Sequence, residues 1–201
     1  MKNFFLTFLI VFLFIDAYAQ RKQGTWQDYL SFSEAIKVAV APTKTFCATN
    51  GGLFYYDQED KSVVNASEVV KLSDFGPKTI AWNNDFNVLV LAYANSNIDL
   101  IYGSKVVNLS DIKRKQLSGD KFINNISFIG KEAFLACGFG IVVIDLEKNE
   151  IKDTYLIGDD GSMLGVNDVE TDGTSIYAAT DRGVLKAPLT GADLRDYNNW
   201  K

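Results

Sequence analysis

The chain has no histidine among its 201 residues. That absence removes Ser-His-Asp triads, Cys-His dyads, imidazole-ligated zinc and imidazole acid–base chemistry. Cysteine is nearly missing too. Cys47 and Cys137 are the two thiols, too few for a thiolate metal cluster. Positive charge is in deficit, with a net charge of −5, which argues against a nucleic-acid partner because that needs a basic stripe. Only three prolines occur while 47% of residues are apolar, so the chain can bury a core rather than stay disordered.

Any catalysis would have to rest on carboxylates, lysine or tyrosine. Carboxylates pair at Glu59-Asp60, at Asp159-Asp160, and at Glu170 with Asp172. A glycosidase needs two carboxyls about 5–9.5 Å apart in a cleft. These pairs sit beside Gly or Lys in expected turns and read as solvated turn residues. Gly158-Asp159-Asp160-Gly161-Ser162 lacks the alternating ligands and terminal Glu of a calcium loop. No catalytic residue, metal or cofactor is expected.

What is present begins with an export signal. Met1-Lys2 gives a positive start, residues 4–15 are apolar apart from Thr7, and Ala17-Tyr18-Ala19 matches a small-x-small cleavage site before Gln20. The run falls short of the ~20 residues of a membrane span. No Cys stands at the cut, so no lipid is attached there. Residues 1–19 are read as a cleaved signal peptide, leaving an exported chain without a transmembrane span.

A phrase then recurs. Small residues lead into Gly or Asn, and an apolar run follows. The copies centre on Cys47-Ala48-Thr49-Asn50-Gly51-Gly52-Leu53, Leu91-Ala92-Tyr93-Ala94-Asn95-Ser96-Asn97-Ile98, Leu135-Ala136-Cys137-Gly138-Phe139-Gly140-Ile141 and Ala178-Ala179-Thr180-Asp181-Arg182-Gly183-Val184. A period of about 43–45 residues built from short strands is the range of β-propeller blades. A β-sandwich shows similar strand spacing without that self-similarity. The fold expected is all-β: an incomplete β-propeller of about four blades of four antiparallel strands. The blades lie near 35–76, 77–121, 122–164 and 165–201, within a domain spanning 20–201.

Four strand-like runs make up each unit. They are 36–40, 45–49, 52–57 and 62–65; then 79–82, 88–93, 98–102 and 106–109; then 126–129, 133–137, 141–146 and 151–157. The last unit has 168–170, 175–179 and 184–189, with 194–200 as its closing strand. Small residues at 47–49, 91–93, 135–137 and 178–180 are expected to line the axis. Gly52, Asn97, Gly140 and Gly183 suit a turn with positive φ. Phe54, Trp82, Phe128 and Tyr177 supply face-to-face packing, and both end faces should be apolar. The connections 67–72 and 110–115 have room for one helical turn each. Cys47 and Cys137 fall on equivalent strands a whole blade apart, beyond the ~7 Å that a disulfide spans.

One basic cluster stands out: Lys113-Arg114-Lys115, flanked by Lys105 and Lys121. It is the candidate contact for a phosphate or anionic glycan, against its reading as a solvated inter-blade loop. The acceptor patterns at Asn65, Asn108 and Asn125 are read as coincidental.

Beyond the period, the wording resembles a known family. Trp26-Gln27-Asp28-Tyr29-Leu30-Ser31-Phe32, Ala94-Asn95-Ser96-Asn97-Ile98-Asp99-Leu100-Ile101, Ser110-Asp111-Ile112-Lys113-Arg114-Lys115 and Cys137-Gly138-Phe139-Gly140-Ile141-Val142-Val143 resemble the N-terminal propeller of the PorZ proteins of the type IX secretion system. Residues 151–155 and 177–183 fit as well, so the likeness runs from about Thr25 to Pro188. The resemblance implies a non-catalytic accessory component of type IX secretion in the periplasm or at the outer-membrane surface. It implies help to a sortase that attaches cargo to anionic lipopolysaccharide. Members resemble one another in carrying two propellers and a sorting domain, so this chain is read as a truncated one. Two alternatives stand beside it: the extracellular sensor propeller of a two-component regulator, and a polysaccharide-processing propeller enzyme.

Overall fold

In a computed structural model the protein is described over residues 33–66, 69–117 and 119–201. The signal segment and the 26–32 phrase lie outside the described residues. Four antiparallel sheets follow one another along the chain. The first holds β1 (Ala35–Val40), β2 (Lys44–Thr49), β3 (Gly52–Asp57) and β4 (Ser62–Asn65). The second holds β5 (Pro77–Asn83), β6 (Val88–Tyr93), β7 (Ile98–Tyr102) and β8 (Lys105–Leu109). A single helical turn, α1 (Asp111–Arg114), leads to the third sheet: β9 (Ile123–Ile129), β10 (Glu132–Cys137), β11 (Gly140–Asp145) and β12 (Glu150–Tyr155). The fourth holds β13 (Val166–Thr171), β14 (Ser175–Thr180) and β15 (Gly183–Pro188). Within each sheet every strand pairs with the next in sequence, and the sheets form an open propeller arc.

Turn chemistry explains the hairpins. Asp57 and Asp145 close equivalent strands, β3 and β11. One carboxylate oxygen of Asp57 accepts from the N–H of Glu59 at 3.0 Å, and one of Asp145 accepts from Glu147 at 2.9 Å. Such a side chain mimics a backbone turn and stops the strand. Asp172 does the same work between β13 and β14. Its carboxylate accepts from the Thr174 hydroxyl at 2.7 Å, the Thr174 and Ser175 N–H groups, and the Tyr177 hydroxyl at 2.8 Å.

Interior sheets are covered on both faces, and the period of two sorts their side chains. On β6, Leu89, Leu91 and Tyr93 pack toward the first sheet, while Val88, Val90 and Ala92 pack toward the third. On β10, Ala133, Leu135 and Cys137 face the second sheet, while Phe134 and Ala136 face the fourth. Fully burying one Leu or Ile contributes about 1.5–3 kcal/mol, so these two strands anchor three interfaces. Both cysteines are buried free thiols, and burial pushes Cys137 up to about 12.

The axis corrects one expectation. The sheets converge at their first strands, β1, β5, β9 and β13, which lie against one another from blade to blade. The small residues of the second strands sit one row further out. Each first strand carries a register irregularity at the same place, beside Lys37, Thr79, Asn125 and Asp168. These four residues stand opposite Ala48, Ala92, Ala136 and Ala179. Three of them are bonded together. Lys37 Nζ donates to Asn125 Oδ1 at 3.1 Å, and Asn125 Nδ2 donates to Asp168 Oδ1. The second-strand alanines give these inner strands room to approach, which is why the small residues recur.

The glycine reading holds in part. Gly140 and Gly183 have φ of +149° and +123°. A Cβ on Gly140 would meet the Tyr155 carbonyl oxygen at 2.3 Å, so close approach requires glycine there. In the second unit Ser96, at φ +65°, takes the left-handed position, not Asn97. The Asn97 N–H is instead held by Asn95 Oδ1 at 3.1 Å. Gly52 does not adopt positive φ.

The fourth sheet corrects two more expectations. Residues 194–200 form no strand. Asp193 and Asp196 carboxylates accept from the N–H groups of Arg195 and Asn198, turning the chain into a 3-10 turn at Tyr197–Asn199. Trp200 is buried in the interface with the third sheet, its indole N–H donating to the Leu194 carbonyl. Lys201 alone takes a fourth-strand position, through paired backbone bonds of 2.7 and 2.9 Å with Lys186.

The two end faces also differ from each other. On the first sheet the ladder Val40–Thr45–Tyr56–Val63 faces outward, with Val40 and Val63 each 64% exposed. On the fourth, the corresponding row is Glu170–Tyr177–Lys186, and the Lys186 ammonium lies 5.3 Å from the Tyr177 ring centroid. Only the first sheet therefore presents a mainly apolar ladder.

Two outcomes follow from this geometry. Self-association should run through the first sheet. Light scattering should find the chain associated, and a Val40→Lys, Val63→Lys double variant shifted toward monomer; a Val184→Lys control should change little. The second concerns Asp172, whose carboxyl is held below its ordinary range, first by the Thr174 hydroxyl and then by the Ser175 and Thr174 N–H groups. A carboxyl depressed in the folded state stabilises above its unfolded pKa of about 3.9 and loses that contribution as pH falls. Asp172→Ala should melt a few degrees below the parent at pH 7, and melting curves should show the gap narrowing below about pH 4.

Candidate functional site

The connection from β8 to β9 carries the basic cluster. Ile112 is buried between the second and third sheets and pins α1 to the core. Lys121 Nζ donates to the carbonyls of Lys113 at 2.9 Å, Lys115 at 3.1 Å and Ile112 at 3.3 Å, closing the end of the helical turn. Cations favour this position because the last carbonyls of a helix lack partners. Lys113 turns away to the Asp74 carboxylate, which also accepts from Asn95 Nδ2 at 2.7 Å and Asn97 Nδ2 at 3.3 Å. Burial resists the Asp74 charge, yet Lys113, Asn95 and the Phe75 N–H outweigh it and hold the carboxyl below its ordinary range.

Of the expected site residues, the structure therefore brings Lys113 and Lys121 into internal contacts. The Arg114 side chain is 71% exposed, and its one ion pair among the described residues is with Asp111, at 3.5 Å. Lys115 is exposed and pairs with no carboxylate among the described residues. Lys105 stands at the far end of β8 and does not join them.

Behind this surface lies a buried polar cluster that the repeat pattern did not disclose. Asp99 is fully buried on β7, and its carboxylate accepts from the Tyr93 hydroxyl at 2.6 Å, the Ser73 N–H at 2.8 Å and Asn108 Nδ2 at 2.8 Å. Burial, then the Asp99 carboxylate, push the Tyr93 phenol upward. Asn108 also donates to Asn97 Oδ1 and the Ile98 carbonyl, each at 3.0 Å, so this acceptor-pattern residue is committed internally. A lone Asp inside the apolar run Ile98-Asp99-Leu100-Ile101 was the available signal. Asp99 and Tyr93 are sealed from solvent, which suits them to fixing the 73–75 loop rather than to chemistry on a substrate.

The carboxylate pairs are turn residues except for Glu170, which stands exposed on β13. Glu59 and Asp60 give their N–H groups to Asp57, Asp172 caps its own turn, and Asp159 pairs with Arg182 at 2.7 Å. Among the described residues no three His, Cys, Asp or Glu side chains gather as a metal site. No helix among them is long and apolar enough to cross a membrane. Removing the Asp99 carboxylate leaves three buried donors without an acceptor. Asp99→Ala should cost about 2–4 kcal/mol of unfolding free energy, read from urea titration, with Asp99→Asn costing less.

The whole arc was compared with known proteins. The structure of PorZ from Porphyromonas gingivalis, described as an essential bacterial surface component of the type-IX secretion system, superposes with a TM-score of 0.74 at 28% identity. The match covers 89% of this chain and 23% of that one. The extracellular domain of a putative hybrid two component system from B. thetaiotaomicron matches at TM-score 0.63 and 12% identity, over 90% of this chain and 24% of that one. The computationally designed Ika4 protein matches at 0.57 and 12%, over 82% and 99%. At 12% identity these two show the fold alone. No curated protein sequence matches the chain. The chain thus spans about a quarter of the length of the PorZ structure it resembles. A family model described as "TSS9, PorZ, N-terminal beta-propeller domain" matches residues 45–201, and the chain belongs to that family.

Proposed function

We propose that this chain is a non-catalytic accessory component of type IX secretion, acting at the cell surface after export. The family match across residues 45–201 is the observation that carries the reading. A propeller scaffold of this kind presents loops for partners while its sheets stay rigid. On this reading the partners are the sortase or other secretion components, and anionic lipopolysaccharide. Arg114 and Lys115 are the proposed anion contacts, because their exposed side chains extend from a turn that Ile112 and Lys121 hold in place. Lys113 belongs to the same patch but is neutralised by Asp74.

A chimera tests the role. This chain replaces the matching region of Porphyromonas gingivalis PorZ in cells lacking that protein. Restored surface attachment of secreted cargo is the expected result. A chimera that reaches the surface folded and restores nothing overturns the reading. Binding to purified anionic lipopolysaccharide should weaken severalfold in an Arg114→Gln, Lys115→Gln variant and with added salt. Unchanged binding removes the anion role from these residues.

A further inference from the structure

A cleft of about 410 Å³ opens between the first and second sheets, at the end that carries the β1–β2, β5–β6 and β7–β8 turns. The basic cluster lies at the opposite end, beside the β6–β7 turn. The cleft walls are Phe46, Tyr55 and Trp82, with Leu53 and Ile101 behind them. Phe46 stacks on Trp82 with ring centroids 5.9 Å apart and planes 18° apart, and Phe46 meets Tyr55 at 5.6 Å, tilted by 55°. The Trp82 indole N–H is spent on Asn84 Oδ1 at 2.8 Å, so this ring offers apolar surface only.

The one charged group of the lining among the described residues is Lys44. Its ammonium lies 4.4 Å from the Tyr55 ring centroid and makes no ion pair among the described residues. Lys131, Lys148 and Lys152 each have a carboxylate within reach, so Lys44 differs from them. Among the described residues the lining contains no Asp or Glu. A pocket of this volume, mainly apolar with a few polar side chains, Thr43, Asn87 and the charged Lys44, has the character of a small-ligand site.

We propose that this cleft binds a small aromatic carboxylate. Its ring lies against the Phe46, Tyr55 and Trp82 surfaces, and its carboxylate meets the Lys44 ammonium. Rigid aromatic walls favour a flat ring through offset and edge contacts. A cation over a ring, with no ion pair among the described residues, selects an anion, and the carboxylate gains a charge-assisted bond that a neutral ligand lacks. This inference stands apart from the secretion role and from the Arg114–Lys115 surface.

The test uses the folded chain, with 2-naphthoate and its uncharged counterpart 2-naphthalenemethanol as probes, followed by calorimetry. The parent should bind 2-naphthoate saturably at one site, about three- to tenfold tighter than the alcohol. Lys44→Met should remove that difference while leaving the alcohol's affinity unchanged, and Lys44→Arg should keep it. Trp82→Leu should weaken both probes about three- to tenfold. A melting temperature matching the parent's confirms that the lysine variants fold. Equal affinity for the two probes, no saturable binding of 2-naphthoate, or a charge preference that survives in Lys44→Met overturns the proposal.

Discussion

Everything in this arc depends on sheets that are buried on both faces. A four-stranded sheet covered on one side would leave half its side chains in water. Here β6 and β10 send alternate residues to opposite neighbours, so one strand serves two interfaces at once. That requirement sets the composition of the chain. The interior strands are nearly free of charge, and turns carry most of the carboxylates. Where a strand carboxylate is fully buried, as Asp99 is, three donors surround it. A buried polar group without partners would cost more than the packing around it supplies.

Most of the sheet architecture was legible because the same constraint repeats. Small residues before Gly or Asn recur in each unit, and all fifteen described strands overlap strand-like runs visible in the sequence. The misreadings have physical causes. The small residues of β2, β6, β10 and β14 were assigned to the axis, but they make room for it; the first strands occupy it. Their polar members, Lys37, Asn125 and Asp168, are far apart in sequence and carry no shared residue type, so no repeat disclosed them. The segment after β15 has the length of a strand. Its Asp side chains bond their own backbone, which favours turns over a ladder.

The site was less legible, and for a related reason. Charge clustering in sequence located 113–115 but not the direction of each side chain. Lys113 proved to be held by Asp74, 39 residues away. The aromatic cleft has members on β2, β3 and β5, and only the packing of two sheets brings them together. Composition supplies such residues without saying which of them meet. The family likeness supplied the secretion context, which no residue cluster here spells out.

The double duty of β6 and β10 has a mechanical consequence. Apart from the Lys37–Asn125 bond near the axis, the main strand-to-strand contacts among the described residues run between neighbouring sheets, so the arc behaves much as a short one-dimensional array. Its outer members have one supporting face each, and its inner members have two. Backbone amides of the second and third sheets should then be the slowest to exchange with solvent, with opening spreading inward from the ends. The aromatic cleft lies on the seam between an outer sheet and an inner one. A ligand wedged there would act as a clasp, slowing the peeling of the first sheet from the rest.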